Sequence, residues 1–207
     1  MINRDNMNGK EDKINKDDIA ESKKQIRKHI LKLRSAMDDK LRREYDEAIF
    51  ERITALEEYG KTDIILTYAS YNGEADTYRL IERALADGKK VGCPVSDVGS
   101  GVPLLDFYYI LSQDDLTEGY KGIPEPDVNK CMKVHYDDIS RALIIVPLVG
   151  YDDEGNRLGY GMGFYDRFLA GHEYPVAVGI AYSCQRCEKL PVDEYDVRLD
   201  IIITEGE

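Results

Sequence analysis

The sequence predicts an α/β fold: a three-layer α/β/α arrangement with a mostly parallel sheet, an N-terminal helical pair and Rossmann-like topology. Three observations predict it. Short apolar runs, the strongest at 142–149, alternate with segments of helical periodicity, as expected of strands buried on both faces. Two helical stripes precede the first such run. A glycine-rich segment follows the strongest run and leads into a helix, the place where open α/β sheets carry their ligands.

Each element follows in order. Residues 1 to about 16 are rich in Asn, Lys and Asp and lack periodicity, which predicts a disordered tail ahead of a single domain over 17–207. A helix starts near Asp17 or Asp18, either able to cap it, with Ile19, Ile26, Ile30, Leu33 and Met37 as its apolar face. Asp38 or Asp39 caps a second helix, striped by Leu41, Tyr45, Ile49, Ile53 and Leu56 and ended by Gly60. Residues 63–68 read as a buried strand, 77–86 as a helix stopped by Gly88, and 90–95 as the next strand. After a turn at 97–101, residues 104–111 read as a strand pairing antiparallel at a sheet edge, and the Gly- and Pro-broken stretch 119–128 as a loop. The strand at 142–149, a helix at 165–170 and strands at 176–181 and 200–204 complete the chain.

Composition narrows the function. The 207 residues are 43% hydrophobic and 33% charged, with 28 Lys and Arg against 40 Asp and Glu and a net charge of −12. Such a surface repels nucleic acids and anionic lipid at long range, so neither a nucleic-acid nor a membrane partner is expected. It repels nucleotides as well, so a nucleotide site needs its own cations or Mg²⁺. Four scattered cysteines, a polar N-terminus and the lack of a bilayer-length apolar run predict a cytoplasmic protein with reduced thiols, expected as a monomer.

The segment 150–167 carries the chemistry. Glycines at 159, 161 and 163 let backbone N–H groups converge on one point, where a phosphate can approach without meeting a Cβ. The following helix start adds partial positive charge. Arg157 offers a bidentate fork, and Asp166 a ligand for Mg²⁺. A plain connecting turn is the alternative, since the pattern is neither a Walker A loop nor a G-x-G-x-x-G fingerprint.

The string Arg157-Leu158-Gly159-Tyr160-Gly161-Met162-Gly163-Phe164-Tyr165-Asp166-Arg167 after Val146-Pro147 resembles the signature of the 5-formyltetrahydrofolate cyclo-ligase (methenyltetrahydrofolate synthetase) family. Lys23-Lys24-Gln25-Ile26-Arg27, Glu74-Ala75-Asp76-Thr77, Gly122-Ile123-Pro124-Glu125-Pro126, and the C-terminal Gln185, Leu190-Pro191, Asp196 and 200–204 are similar to further family landmarks in the same order, over about residues 20 to 205. The resemblance implies ATP-dependent conversion of 5-formyltetrahydrofolate to 5,10-methenyltetrahydrofolate with release of ADP and phosphate. It implies ATP contacts from Lys23, Lys24, Gln25, Ile26 and Arg27, and from Arg157, Leu158, Gly159, Tyr160, Gly161, Met162, Gly163, Phe164 and Tyr165. It implies folate contacts from Ala69 and Glu74 and from Tyr160 through Phe164, and Mg²⁺ on Asp166 and Asp196. It identifies no general acid or base. Met162 departs from relatives that carry Gly or Lys there, and a positive φ would be costly for it.

Two other readings share the loop: an enzyme of similar topology acting on another nucleotide or phosphosugar, and a non-catalytic ATP-binding regulator. A pterin-sized pocket near Glu74 distinguishes the folate enzyme from both. Cys184-Gln185-Arg186-Cys187 lacks a second ligand pair for zinc, and His29, His135 and His172 form no nucleophile triad pattern. Tyr160 and Tyr165 are candidates for stacking on a pterin or adenine, while most of the fifteen tyrosines fit the rim of the core.

Overall fold

The computed structural model describes residues 16–99 and 101–206; the expected tail, apart from Lys16, lies outside them. Helix α1 (Lys16–Ser35) carries Asp17 and Asp18 in its first turn, where their charge complements the helix dipole. Its buried face matches the predicted stripe only in part: Ile30 is buried and Ile19, Ile26 and Met37 are half-buried. Lys23 and Arg34 are buried as well, whereas Leu33 is 43% exposed. Lys23, Arg27, Ile30 and Arg34 follow one another at spacings of four, three and four, so the helix lays a largely cationic stripe against the rest of the protein. Long cationic side chains bury their stems where their heads find partners.

Asp38 caps α2 (Asp39–Thr54), accepting from the backbone N–H groups of Lys40 at 2.9 Å and Leu41 at 3.3 Å. The predicted second helix breaks after Thr54, and a short α3 (Glu57–Lys61) follows. Gly60 lies inside α3 rather than ending the longer helix. Burial of Tyr59, whose hydroxyl donates to Asp87 at 2.8 Å, holds this extra turn in place.

The remaining elements are β1 (Ile64–Leu66), α4 (Tyr78–Ala86), β2 (Lys90–Asp97), β3 (Leu104–Ile110), β4 (Leu116–Glu118), β5 (Pro124–Pro126), β6 (Met132–Lys133), α5 (Tyr136–Ile139), β7 (Leu143–Val146), β8 (Gly150–Tyr151), β9 (Arg157–Leu158), α6 (Phe164–Gly171), β10 (Val176–Ile180) and β11 (Ile201–Ile203). Among the described residues one seven-stranded sheet runs β11-β10-β7-β1-β2-β3-β6. The strands from β11 to β2 are parallel, and β3 and β6 add antiparallel. The expected antiparallel strand is therefore present, one position inside the edge that β6 forms. The stretch read as a loop holds β5, which pairs antiparallel with β4 just ahead of that stretch. Its prolines occupy strand positions, which is tolerated in so short a two-stranded unit.

The two faces of the sheet bury separate apolar clusters. One joins Ile49 and Ile53 of α2 with Leu80, Ile81 and Ala84 of α4; the other joins Phe168 and Leu169 of α6 with Ile139 of α5. This is the three-layer α/β/α arrangement. From β1 the chain moves one way to β2, and from β7 the other way to β10 and β11. The reversal leaves a crevice beyond the carboxyl ends of β1 and β7, the ordinary ligand position in such sheets. Among the described residues no helix is long and apolar enough to cross a membrane, and all four cysteines are free.

Candidate active site

A cleft of about 1130 Å³ opens at this crevice. Its floor comes from the strand ends, with Tyr68 and Ala69 after β1, Ser96 on β2 and Pro147 after β7. Its walls are α1, the glycine-rich loop between β9 and α6, the 120–125 segment, and residues 193–197. Most of the predicted site residues meet here: Lys23, Arg27, Ala69, Glu74, Arg157 through Asp166, and Asp196 all line the cleft. Lys24, Gln25 and Ile26 do not. Lys24 and Gln25 bond Glu21 on the exposed side of α1 at 3.2 and 2.6 Å, and Gln25 and Ile26 border a separate groove beside Cys184 and Cys187. The helical period turns residues 24–26 away from any partner that faces 23 and 27.

Two supports fix the loop. Asp152 accepts from the N–H groups of Glu154 and Asn156, from the Asn156 amide and from Leu190 N–H at 2.9–3.1 Å, closing the β8–β9 turn that delivers Arg157. These bonds outweigh burial and hold the Asp152 carboxyl below its ordinary range. Gln185, fully inside, donates to the carbonyls of Leu148 and Val149 at 3.1 and 2.9 Å and fastens the exit from β7. Within the loop Gly161 and Gly163 take φ of +98° and +66°, values costly for a residue with a Cβ. Met162 between them is not in the left-handed region, so the departure from the family pattern carries no backbone strain. Arg27 Nε donates to Gly159 O at 2.7 Å, and Arg167 donates to Met162 O and, at 2.7 Å, to Pro103 O. Two carbonyls of the loop are thus occupied by arginines.

The charged groups are paired. Arg157, with its side chain 3% exposed, donates to Asp166 Oδ1 at 2.6 Å. Lys23 donates to Asp193 at 2.8 Å and Asp196 at 2.5 Å. Burial acts to lower the Lys23 pKa, but the bonds and charges of the two aspartates raise it above the ordinary lysine value. Two of the cations expected to meet phosphate, Lys23 and Arg157, therefore bond the carboxylates expected to meet metal. The Nε of Arg157 and the hydroxyl of Tyr165, both in this wall, are buried without a hydrogen-bond partner, a cost that clusters at functional sites.

At the other end Glu74 Oε2 accepts from Tyr71 N–H at 2.9 Å, and Oε1 accepts from the Tyr160 hydroxyl at 2.5 Å. Burial of the carboxyl raises its pKa above the usual carboxylate range; the two bonds and the Arg34 charge oppose the rise. Sequence reasoning missed Arg34, Asp193, Tyr120 and Lys121, of which the last three line the cleft. The arginine was detectable: it continues the 23–27–30 spacing by one more turn. The other three reach the cleft through long-range packing and leave no local signal.

The comparisons with known proteins bear on the family and the fold. The description of the 5-formyltetrahydrofolate cyclo-ligase family matches residues 19–205. The 5-formyltetrahydrofolate cyclo-ligase of Haemophilus influenzae is 32% identical over 187 residues, covering 89% of this chain and 98% of its own. That of Escherichia coli is 39% identical over 144 residues, 68% of this chain and 76% of its own. Among solved structures, the 5,10-methenyltetrahydrofolate synthetase of Aquifex aeolicus superposes with a TM-score of 0.76 at 32% identity, covering 89% of this chain and 90% of that one. The synthetase of Mycoplasma pneumoniae gives 0.69 at 26% identity, covering 89% and 99%. A family match over nearly the whole described chain, on a fold and cleft of the expected kind, means that this protein belongs to the 5-formyltetrahydrofolate cyclo-ligase family.

Proposed function

We propose that the cleft binds ATP along the Arg157–Asp166 wall and 5-formyltetrahydrofolate between that wall and the Ala69–Glu74 segment. The enzyme is an ATP-dependent cyclo-ligase that forms 5,10-methenyltetrahydrofolate. The formyl oxygen attacks the γ-phosphorus and ADP leaves. N10 then closes on the activated carbon and loses its proton, and phosphate departs with the former formyl oxygen. Such chemistry asks the protein mainly for alignment and charge stabilisation.

The observation that carries this assignment is the pairing of Arg157 with Asp166 and of Lys23 with Asp196. A metal-bound triphosphate carries both signs of charge and satisfies both members of each pair, phosphate on the cation and metal on the carboxylate. The donor set fits Mg²⁺, which takes one or two carboxylates and completes its shell with water and phosphate oxygens; Asp166 and Asp196 would hold it, and it would neutralise charge building on the transferred phosphoryl group. Burial of Glu74 beside Tyr160 supports a pterin site, where a carboxylate accepts the ring N–H groups. We take the enzyme as monomeric and cytoplasmic; the net charge of −12 supports the lack of nucleic-acid and membrane partners.

The test is direct. Protein given 5-formyltetrahydrofolate, ATP and Mg²⁺ is expected to develop the near-UV absorbance of the methenyl product, and chelation of Mg²⁺ to stop it. No signal at saturating substrates rejects the assignment; turnover that survives chelation removes the metal from it.

A further inference from the structure

The guanidinium of Arg34 lies outside the roles assigned above, yet among the described residues it is one of the most buried charged groups. The residue is 2% exposed. Its Nη2 donates to the Tyr160 hydroxyl at 2.9 Å and to the carbonyl of Asn72 at 3.1 Å, and its Nη1 is buried without a hydrogen-bond partner. The Tyr160 hydroxyl in turn donates its own hydrogen bond to Glu74 Oε1 at 2.5 Å. The result is a relay, Arg34 to Tyr160 to Glu74, running from the back of α1 through the glycine-rich loop to the segment after β1. It fixes where the Tyr160 ring stands, because a phenol that donates to one partner and accepts from another has a single orientation that satisfies both. Tyr160 would otherwise be loosely held: it is 49% exposed and sits between two glycines.

We propose that Arg34 is a positioning residue for the folate substrate: through the Tyr160 hydroxyl it holds Glu74 and the Tyr160 ring in the arrangement that receives the pterin. The inference rests on the reading of Glu74 as the pterin acceptor. Retaining a buried guanidinium with an unmet donor is expensive. The electrostatics agree in direction. Burial raises the Glu74 pKa and Arg34 opposes the rise, so the guanidinium favours the ionised carboxylate that ring N–H donors need. The other titratable groups acting on this carboxylate are Tyr160 itself, Tyr68 after β1 and Tyr165 in α6. Burial holds all three phenols above their ordinary values, so they stay neutral where Glu74 titrates.

The experiment is steady-state kinetics against pH for the full chain, with Arg34→Gln, Tyr160→Phe, the double variant and Glu74→Gln. Expected for Arg34→Gln is a rise of about tenfold in KM for 5-formyltetrahydrofolate, the scale of a lost charged hydrogen bond, with KM for ATP within about twofold. The acid limb of kcat/KM for folate should also move up by about one pH unit, as expected when a neighbouring cation is withdrawn from a carboxylate. Tyr160→Phe should raise the folate KM in the same way, and Arg34→Gln should add little on that background. A structural role alone would lower stability and leave the limb in place. If Glu74→Gln leaves the folate KM unchanged, the pterin reading of Glu74 fails and the proposal falls with it. If Glu74→Gln raises that KM while Arg34→Gln and Tyr160→Phe do not, the pterin reading stands and the proposal is overturned. Should Arg34→Gln not fold, Tyr160→Phe and Arg34→Lys carry the test. Phenylalanine keeps the ring and removes only the relay, so an unchanged folate KM and pH limb in that variant overturns the proposal.

Discussion

Arg157→Ala is expected to damage both nucleotide binding and stability, by separable amounts. The side chain is 3% exposed and its bond to Asp166 is 2.6 Å long, with the Asp166 side chain 19% exposed. Removing one member of a buried pair costs about 3–5 kcal/mol, because the other charge is stranded. Asp166 keeps some solvent and the Val197 N–H at 3.3 Å, which places the loss toward ~2–3 kcal/mol. In a chain of this size that lowers Tm by about 5–10 °C. Loss of a charge-assisted phosphate contact should weaken ATP by about tenfold to a hundredfold. Calorimetric titration with a non-hydrolysable ATP analogue and Mg²⁺, run well below the variant's Tm, measures affinity; thermal unfolding measures stability. Asp166→Asn separates the two. It removes the carboxylate charge and leaves Arg157 in place, so it should retain affinity for the nucleotide without metal and lose the gain that Mg²⁺ supplies. An Arg157→Ala protein with destabilised fold and unchanged nucleotide affinity would refute the assignment of Arg157 to the phosphates, leaving the residue as a support for the wall alone.

Two further outcomes are expected. Gly161→Ala forces a Cβ onto a residue with φ of +98°, a strain of about 1–3 kcal/mol. ATP affinity should fall, whereas Met162→Ala, at a position outside the left-handed region, should leave titrated ATP affinity within about threefold; equal effects would mean that loop conformation is not what binds the phosphates. Asp152 has a depressed pKa in the folded protein, so its stabilisation is present above the ordinary carboxylate range and is lost as pH falls through the folded value. Asp152→Asn should therefore lower urea stability at neutral pH and flatten its decline in acid; a wild-type slope in the variant would count against this role in holding the β8–β9 turn.

Much of the fold was readable from periodicity. Residues 64–66, 90–97, 143–146, 176–180 and 201–203 are strands within or beside the apolar runs that predicted them, because a buried parallel strand must be apolar on both faces. A cap at Asp38 or Asp39 was readable from side-chain chemistry, and the structure shows that it is Asp38. The first helix was placed correctly and its inner face only in part: Ile30 is buried as expected, but an apolar-stripe rule cannot foresee that Lys23 and Arg34 are buried against carboxylates and a phenol more than a hundred residues away. The split after Thr54 and the β4–β5 hairpin were missed for a related reason, since each depends on what packs against it rather than on local propensity.

The sequence alone determined the alternation of helix and strand, the glycine-rich turn after β7, and the eleven-residue string from Arg157 to Arg167 that carries the family signature. Those features are local: they depend on side-chain period, on backbone freedom at glycine and on the order of neighbouring residues. Tertiary structure decided which charges meet, so that Arg157 faces Asp166, Lys23 faces Asp193 and Asp196, and Arg34 reaches Glu74 only through Tyr160. Electrostatic pairing acts over a few ångströms whatever the separation along the chain, and only folding brings those groups within that range.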